Sequence, residues 1–230
     1  MVSKKTKNGT QKVLPRVQVI KNGPYIVSGG IPLFKQIIGI DNAGYSYEWR
    51  QGEQYPSQEN YTLCRCGRSK NKPFCDGTHI VVNFDGTETA SREPYLDQAK
   101  RIRGLAIDLT DAKELCAAAR FCDRASGIWK LTQHSDNLEA RKIAEEEAGN
   151  CPSGRLVVWD KDGKAIEPKF EPSIVLVEDP LENMEGPIWV RGGISIESTY
   201  GYTYEPRNRI ALCRCGKSSN KPFCDGSHCH

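Results

Sequence analysis

Apolar positions in this chain of 230 residues come in short runs, and the period changes along it. Near the C-terminus, Tyr200-Gly201-Tyr202-Thr203-Tyr204 alternates at period two, and Ile210-Ala211-Leu212 leads directly into Cys213. Alternation turns one face of an extended segment inward, so both stretches are predicted strands. Glycine pairs, Gly29-Gly30 and Gly192-Gly193, punctuate such runs, and Pro180 with Pro187 marks residues 180–187 as a linker. From residue 95 to 172 the pattern differs. Ile102 to Leu109 reads as a strand, and Thr110 or Asp111 then caps a helix running through Ala119. Asn137 caps a second helix through Glu147, and Leu156-Val157-Val158-Trp159 is a strand closed by the turn Asp160-Lys161-Asp162-Gly163. Strand–helix–helix–strand suits a small α+β module.

The outer runs repeat. Gly23-Pro24-Tyr25-Ile26-Val27-Ser28-Gly29-Gly30-Ile31 matches Gly186-Pro187-Ile188-Trp189-Val190-Arg191-Gly192-Gly193-Ile194, an offset of 163 (186 minus 23). Further on, Cys64-Arg65-Cys66 through Asn71-Lys72-Pro73-Phe74 to Cys75-Asp76-Gly77-Thr78-His79 returns as Cys213-Arg214-Cys215, Asn220-Lys221-Pro222-Phe223 and Cys224-Asp225-Gly226-Ser227-His228. There the offset is 149 (213 minus 64), so the first copy carries 14 extra residues, placed around Phe34 to Gln54. A duplicated unit implies pseudo-symmetric packing of the two copies.

Composition narrows the classes. Hydrophobic residues make up 38% and mean hydropathy is −0.57, which fits small modules whose metal bonds replace part of a core. No apolar run approaches the ~20 residues that span a bilayer. A net charge of +3 makes no electrostatic case for nucleic acid. The start, Met1-Val2-Ser3-Lys4-Lys5-Thr6-Lys7, lacks the apolar stretch of a secretory leader and reads as a basic flexible arm over residues 1–17. Ten cysteines then read as metal ligands in a reducing cytosol more readily than as disulfides. No Ser-His-Asp grouping or phosphate loop points to an enzyme.

Each repeated motif is C-x-C-x8-C-x3-H. In C-x-C the two thiolates can serve one iron while the third Cys and the His serve another. Pro73 and Pro222 set a turn before the third Cys, and Asp76 and Asp225 can cap the turn that carries the His. Gly77 and Gly226 permit close backbone approach. Three Cys and one His is also a legitimate structural zinc set, although such sites usually open with C-x2-4-C.

Both motifs resemble the CDGSH iron–sulfur family, the second carrying the five letters themselves and the first having Thr78 at the Ser position. The resemblance implies two [2Fe–2S] clusters, held by Cys64, Cys66, Cys75 and His79 and by Cys213, Cys215, Cys224 and His228. It implies strands exchanged between the two units, so that one chain supplies both halves of a pseudo-dimer and is monomeric. Between them, Cys116, Cys122 and Cys151 remain, the last followed by Pro152-Ser153-Gly154. That pattern is similar to monocluster ferredoxins holding a [3Fe–4S] or [4Fe–4S] cluster, but Ala119 stands where a cubane would take a further ligand. The alternative is that Cys116 and its neighbours are reduced thiols on an apolar helix face, Leu115 to Ala119.

The resulting expectation is an α+β protein. A first CDGSH unit spans 18–92, a divergent ferredoxin-like domain 93–178 and a second CDGSH unit 179–230, the two units forming a pseudo-twofold β-cap. It is expected to be a cytoplasmic electron carrier rather than an enzyme. Its partners would be redox proteins or apo iron–sulfur acceptors, with no nucleic acid or membrane. Cluster storage and transfer, and structural zinc binding, stand as alternatives.

Overall fold

The computed structural model describes residues 14–229, so residues 1–13 of the expected arm and His230 lie outside it. The first unit contains β1 (Arg16–Val19), β2 (Tyr25–Ser28), β3 (Leu33–Ile40), β4 (Ser46–Gln54), β5 (Asn60–Leu63) and the short helix α1 (Thr78–Val81). The middle adds α2 (Tyr95–Gln98), β6 (Lys100–Arg103), β7 (Asp108–Asp111), α3 (Ile128–Gln133), α4 (Leu138–Asn150), β8 (Leu156–Trp159) and β9 (Ala165–Ile166). The second unit contains β10 (Ser173–Asp179), β11 (Met184–Arg191), β12 (Ser195–Glu197) and β13 (Arg209–Leu212). The molecule is a mixed α+β protein, mostly sheet, with two β-rich regions flanking a middle domain.

The duplication is visible strand by strand. In the first unit β2 pairs with β5, Tyr25 opposite Leu63, and in the second β11 pairs with β13, Ile188 opposite Leu212. These are equivalent positions of the repeat. The strand after each glycine pair then leaves its own unit. β3 runs parallel to β10 of the second unit, Leu33 opposite Ile174, and β12 runs parallel to β1 of the first, Ile196 opposite Val17. Two sheets result, β12-β1-β2-β5 and β13-β11-β10-β3-β4, each completed by a strand from the other copy. Positive φ at Gly29 (95°) and Gly192 (77°) makes the crossover possible. A Cβ on Gly192 would also lie 2.6 Å from the Pro172 nitrogen.

The alternating apolar faces meet between the sheets. Val17, Tyr25, Leu33 and Leu63 share one core with Ile174, Ile188, Ile196 and Leu212, so neither copy buries its face alone. The extra residues of the first copy form the β3–β4 hairpin. Its Trp49 stacks on Trp189 and Phe121 at 5.0 and 4.7 Å, covering the outer face of the second sheet.

The middle domain has its own antiparallel sheet, β6-β7-β8-β9, backed by α3 and α4 around Ile107, Leu109, Ile128, Ala144 and Val158. Asn137 caps α4 as expected, accepting from the Glu139 and Ala140 amides. Four expectations need correction. Ile102 to Leu109 is a hairpin of two strands, because Gly104 sits against the Thr132 and Ile107 carbonyls where no side chain fits. No helix runs from Asp111 to Ala119. A single 3-10 turn at Lys113–Leu115 gives way to an irregular loop with positive φ at Ala118 (53°) and Arg120 (59°). Residues 180–187 are a turn and the first half of β11, not a linker. Tyr200 to Tyr204 is a turn held by one bridge, Glu197 to Thr203, with the Tyr202 and Tyr204 rings edge to face at 5.1 Å. Helix α3, which buries Ile128, Leu131 and Thr132, was not anticipated.

Arg209 ties the middle domain to the second unit. Its buried guanidinium donates to the Ala148 and Cys151 carbonyls at the end of α4, to Leu156 O at 3.1 Å, and to Glu167 at 2.6 Å. Removing it strands buried acceptors and an ion-pair partner. Arg209→Ala should therefore lose about 3 kcal/mol of stability, read as a lower denaturant midpoint; an unchanged midpoint would remove Arg209 as the tie.

Candidate metal centres

Each motif begins where its last strand ends. After β5 the chain turns back, so that the Cys64 amide donates to Pro73 O (2.8 Å) and the Cys75 amide to Thr62 O (3.0 Å). The second motif repeats this with Cys213 to Pro222 O and Cys224 to Ala211 O, both 2.9 Å. Lys72-Pro73 and Lys221-Pro222 are both cis. Asp76 accepts from the Lys70 and Thr78 amides (2.8 and 3.0 Å). Asp225 accepts from the Ser219 and Ser227 amides (2.8 and 3.0 Å) and from both hydroxyls. Each carboxylate thereby closes the loop onto the turn that carries the His. The hydrogen bonds from Ser227 and Ser219 hold the Asp225 carboxyl well below the usual range, although burial works against them.

Two serines sit at the centre of these loops and were not singled out from the sequence. Ser69 donates to Phe74 O at 2.6 Å and accepts from the Asn71 amide; Ser218 does the same with Phe223 O (2.7 Å) and Asn220. The signal was available, since Gly-x-Ser follows C-x-C in both copies.

The side chains gather in twos. Cys64 Sγ and Cys66 Sγ are 3.8 Å apart, and Cys75 Sγ and His79 Nδ1 are 3.3 Å apart. In the second motif, Cys213 and Cys215 are 3.7 Å apart, and Cys224 and His228 Nδ1 are 3.5 Å apart. Two thiolates on one tetrahedral metal, each bonded at about 2.3 Å, stand about 3.7 Å apart, and a thiolate and an imidazole about 3.6 Å apart. Three of the pairs are close to such an edge, and Cys75–His79 is shorter than it. Among the described residues, no three His, Cys, Asp or Glu groups converge on a single ion position. Each motif thus presents its donors as one Cys–Cys pair and one Cys–His pair.

Backbone amides point at the sulfurs. Arg68 and Lys217 donate to Cys66 and Cys215 at 3.4 Å, and Gly77 to Cys75 at 3.5 Å. Their mutual hydrogen bond raises the Cys213 thiol and lowers Cys215 to about 6, while burial raises Cys224. Metal binding at this site must release the protons of Cys213 and Cys224. Burial, with the Arg214 guanidinium next, lowers His228 and keeps its imidazole neutral for ligation.

The two motifs touch along the pseudo-twofold. Gly67 and Gly216, the residues after each C-x-C, have φ of 72° and 79°. A Cβ on Gly67 would lie 2.5 Å from Cys215 O, and one on Gly216 2.7 Å from Cys66 O. Glycine is therefore required twice over, for its backbone and for the approach of the loops. Tyr25 reaches across as well, its hydroxyl donating to Cys213 O at 2.8 Å. Behind the loops Arg65 and Arg214 are buried. Arg65 donates to Gly86 O (2.7 Å), and Arg214 to Gly186 O (2.8 Å) and Glu178 (3.1 Å).

The middle cysteines also meet. Cys116, Cys122 and Cys151 line one cavity, with Ala119 among its walls and the Arg155 guanidinium beside the Cys116 thiol. Asp111 anchors Arg155 at 2.6 Å. Burial pushes the Cys122 thiol up, with Asp123 and Cys151 adding to it. Cys116 is thus on a loop that wraps a cavity, not on a helix face, and the positive φ at Ala118 and Arg120 is the backbone strain of that wrapping.

A two-motif protein with paired soft donors belongs among the iron–sulfur proteins, and comparison with family models assigns the family. The iron-binding zinc finger of CDGSH type matches at residues 22–80 and 185–229, and the divergent 4Fe-4S mono-cluster domain at 102–161. The chain thus carries two CDGSH-type regions with a divergent mono-cluster region between them. No curated protein matches it. Among the described residues no helix is long and apolar enough to cross a membrane.

The contact between the motifs generates a test. Gly67→Ala or Gly216→Ala should cost about 1–3 kcal/mol in backbone strain and push the loops apart. Metal content should then fall at both motifs although only one is changed. Full metal content in either variant would show that the close approach is dispensable.

Proposed function

We propose that the protein is a one-electron carrier. In this reading Cys64, Cys66, Cys75 and His79 hold one [2Fe–2S] cluster, and Cys213, Cys215, Cys224 and His228 a second. Cys116, Cys122 and Cys151 hold a [3Fe–4S] cluster. The observation that carries it is the two-plus-two spacing of the donors, 3.8 and 3.3 Å in the first motif and 3.7 and 3.5 Å in the second. Bound there, the clusters supply reversible one-electron chemistry without making or breaking covalent bonds. The chain's own groups fix the ligands and donate amide hydrogen bonds to sulfur. For the middle site the support is a cavity shared by three thiols, with Ala119 supplying no fourth donor.

The exchanged strands favour a monomer, because each sheet is already completed within one chain. Ten cysteines without a disulfide fit a reducing cytosol. Redox proteins are the expected partners. A second role, cluster delivery, is favoured by His79, which borders an open cleft of about 460 Å³ where its imidazole can meet protons.

Iron, sulfide and zinc per chain, with EPR of oxidised and reduced protein, test the assignment. About seven irons are expected; about four would remove the middle cluster and about eight would make it [4Fe–4S]. Zinc in place of iron would end the electron-carrier reading.

The His ligands predict pH behaviour. Protonation of the free imidazole nitrogen favours the reduced state, so the midpoint potential should fall as pH rises. Because His228 is held below the ordinary 6.5, acid should release that ligand only on the acid side of this value. His228→Cys and His79→Cys should each make their own site acid-stable, followed as loss of visible absorbance; unchanged lability would show that the His is not the weak bond.

A further inference from the structure

The two repeated motifs are alike in sequence but not in surroundings. A Cβ on Gly226 would lie 3.3 Å from Cys116 O and 3.4 Å from the Ala118 Cβ, whereas the equivalent Gly77 has nothing within 4 Å. Cys224 is 2% exposed and packs with Ala117 and Ala211, while Cys75 is only half-buried. Asn220 donates to Glu114 O at 2.9 Å, pinning the same loop to the second motif. Among the described residues the first motif has no such cover. Asp76 is exposed, His79 borders an open cleft, and the following Ile80 and Val81 are 73% and 82% exposed. This loop carries Cys116, so what covers the second motif also lines the cavity of the middle cysteines.

We infer that the motifs divide the work: the Cys116–Ala118 loop makes the second motif an internal relay to the middle site, and the Cys75–His79 edge of the first is the port to an external one-electron carrier protein. The inference rests on the cluster assignment above. Each transfer moves one electron, lost by one centre and gained by the next; no bond forms or breaks. The close contact of Gly67 with Cys215 joins relay to port inside the molecule.

The test reads magnetic relaxation in the reduced holoprotein. His79→Cys and His228→Cys alter the ligand set of one site each and so assign the two [2Fe–2S] signals. A freely diffusing gadolinium chelate should speed relaxation of the first signal severalfold more than the second, because dipolar relaxation falls steeply with distance of approach. Conversely, Cys116→Ala, which removes the middle centre, should change the second signal and leave the first unaltered. If that variant does not fold, the same comparison is made in the unaltered protein by switching the middle centre between its oxidised and reduced states. Equal response of both sites to gadolinium, or a middle centre that relaxes the first site as strongly as the second, overturns the inference while leaving the cluster assignment standing. Metal analysis without the [2Fe–2S] pair would overturn the assignment itself and the division of work with it.

Discussion

The structure depends on the exchange of one strand in each direction. β3 completes the sheet of the second unit and β12 that of the first, both in parallel register with the strand they join. Each copy alone would leave an open sheet edge and a bare apolar face. Together they enclose one core in which Val17 and Ile174, or Tyr25 and Ile188, play equivalent parts. Because β5 and β13 run out of this shared core straight into the cysteines, the same exchange brings the two metal loops together at Gly67 and Gly216.

Duplication within one chain permits what identical subunits forbid. The first copy has grown the β3–β4 hairpin, whose Trp49 covers the outer face of the second sheet with Trp189 and Phe121. The second copy has Ile188 where the first has Tyr25, so the hydroxyl that Tyr25 sends to Cys213 O has no counterpart at the equivalent position. The middle domain docks on the second copy through Arg209 and the Cys116–Ala118 loop, and on the first copy's hairpin through Phe121 and Asn150 against Trp49. Symmetry sets the frame, and the insertion breaks it at the metal loops.

Much of the geometry of the two cysteine loops was legible because its determinants are local. Cys64 to His79 lie within one loop, and Asp76, Gly77 and Pro73 act on that loop through short-range hydrogen bonds and backbone angles. The helix expected through Ala119 failed for the opposite reason. Its alanines favour helix intrinsically, yet residues 116–120 must wrap a cavity shared with Cys151 and pack against Gly226. Tyr200 to Tyr204 alternates like a strand but has only one bridging partner, and alternation alone does not supply a neighbour.

The sequence by itself determined the duplicated unit, the clustering of Cys and His in each loop with its turn chemistry, and the capped helix at Asn137, all consequences of residues near one another in the chain. Only the tertiary structure decided that β3 and β12 are the strands that exchange, that the middle thiols line one cavity, and that this cavity's loop covers the second motif and leaves the first open. Those are contacts between distant segments, fixed by which apolar faces and backbone edges remain unsatisfied until the whole chain is assembled.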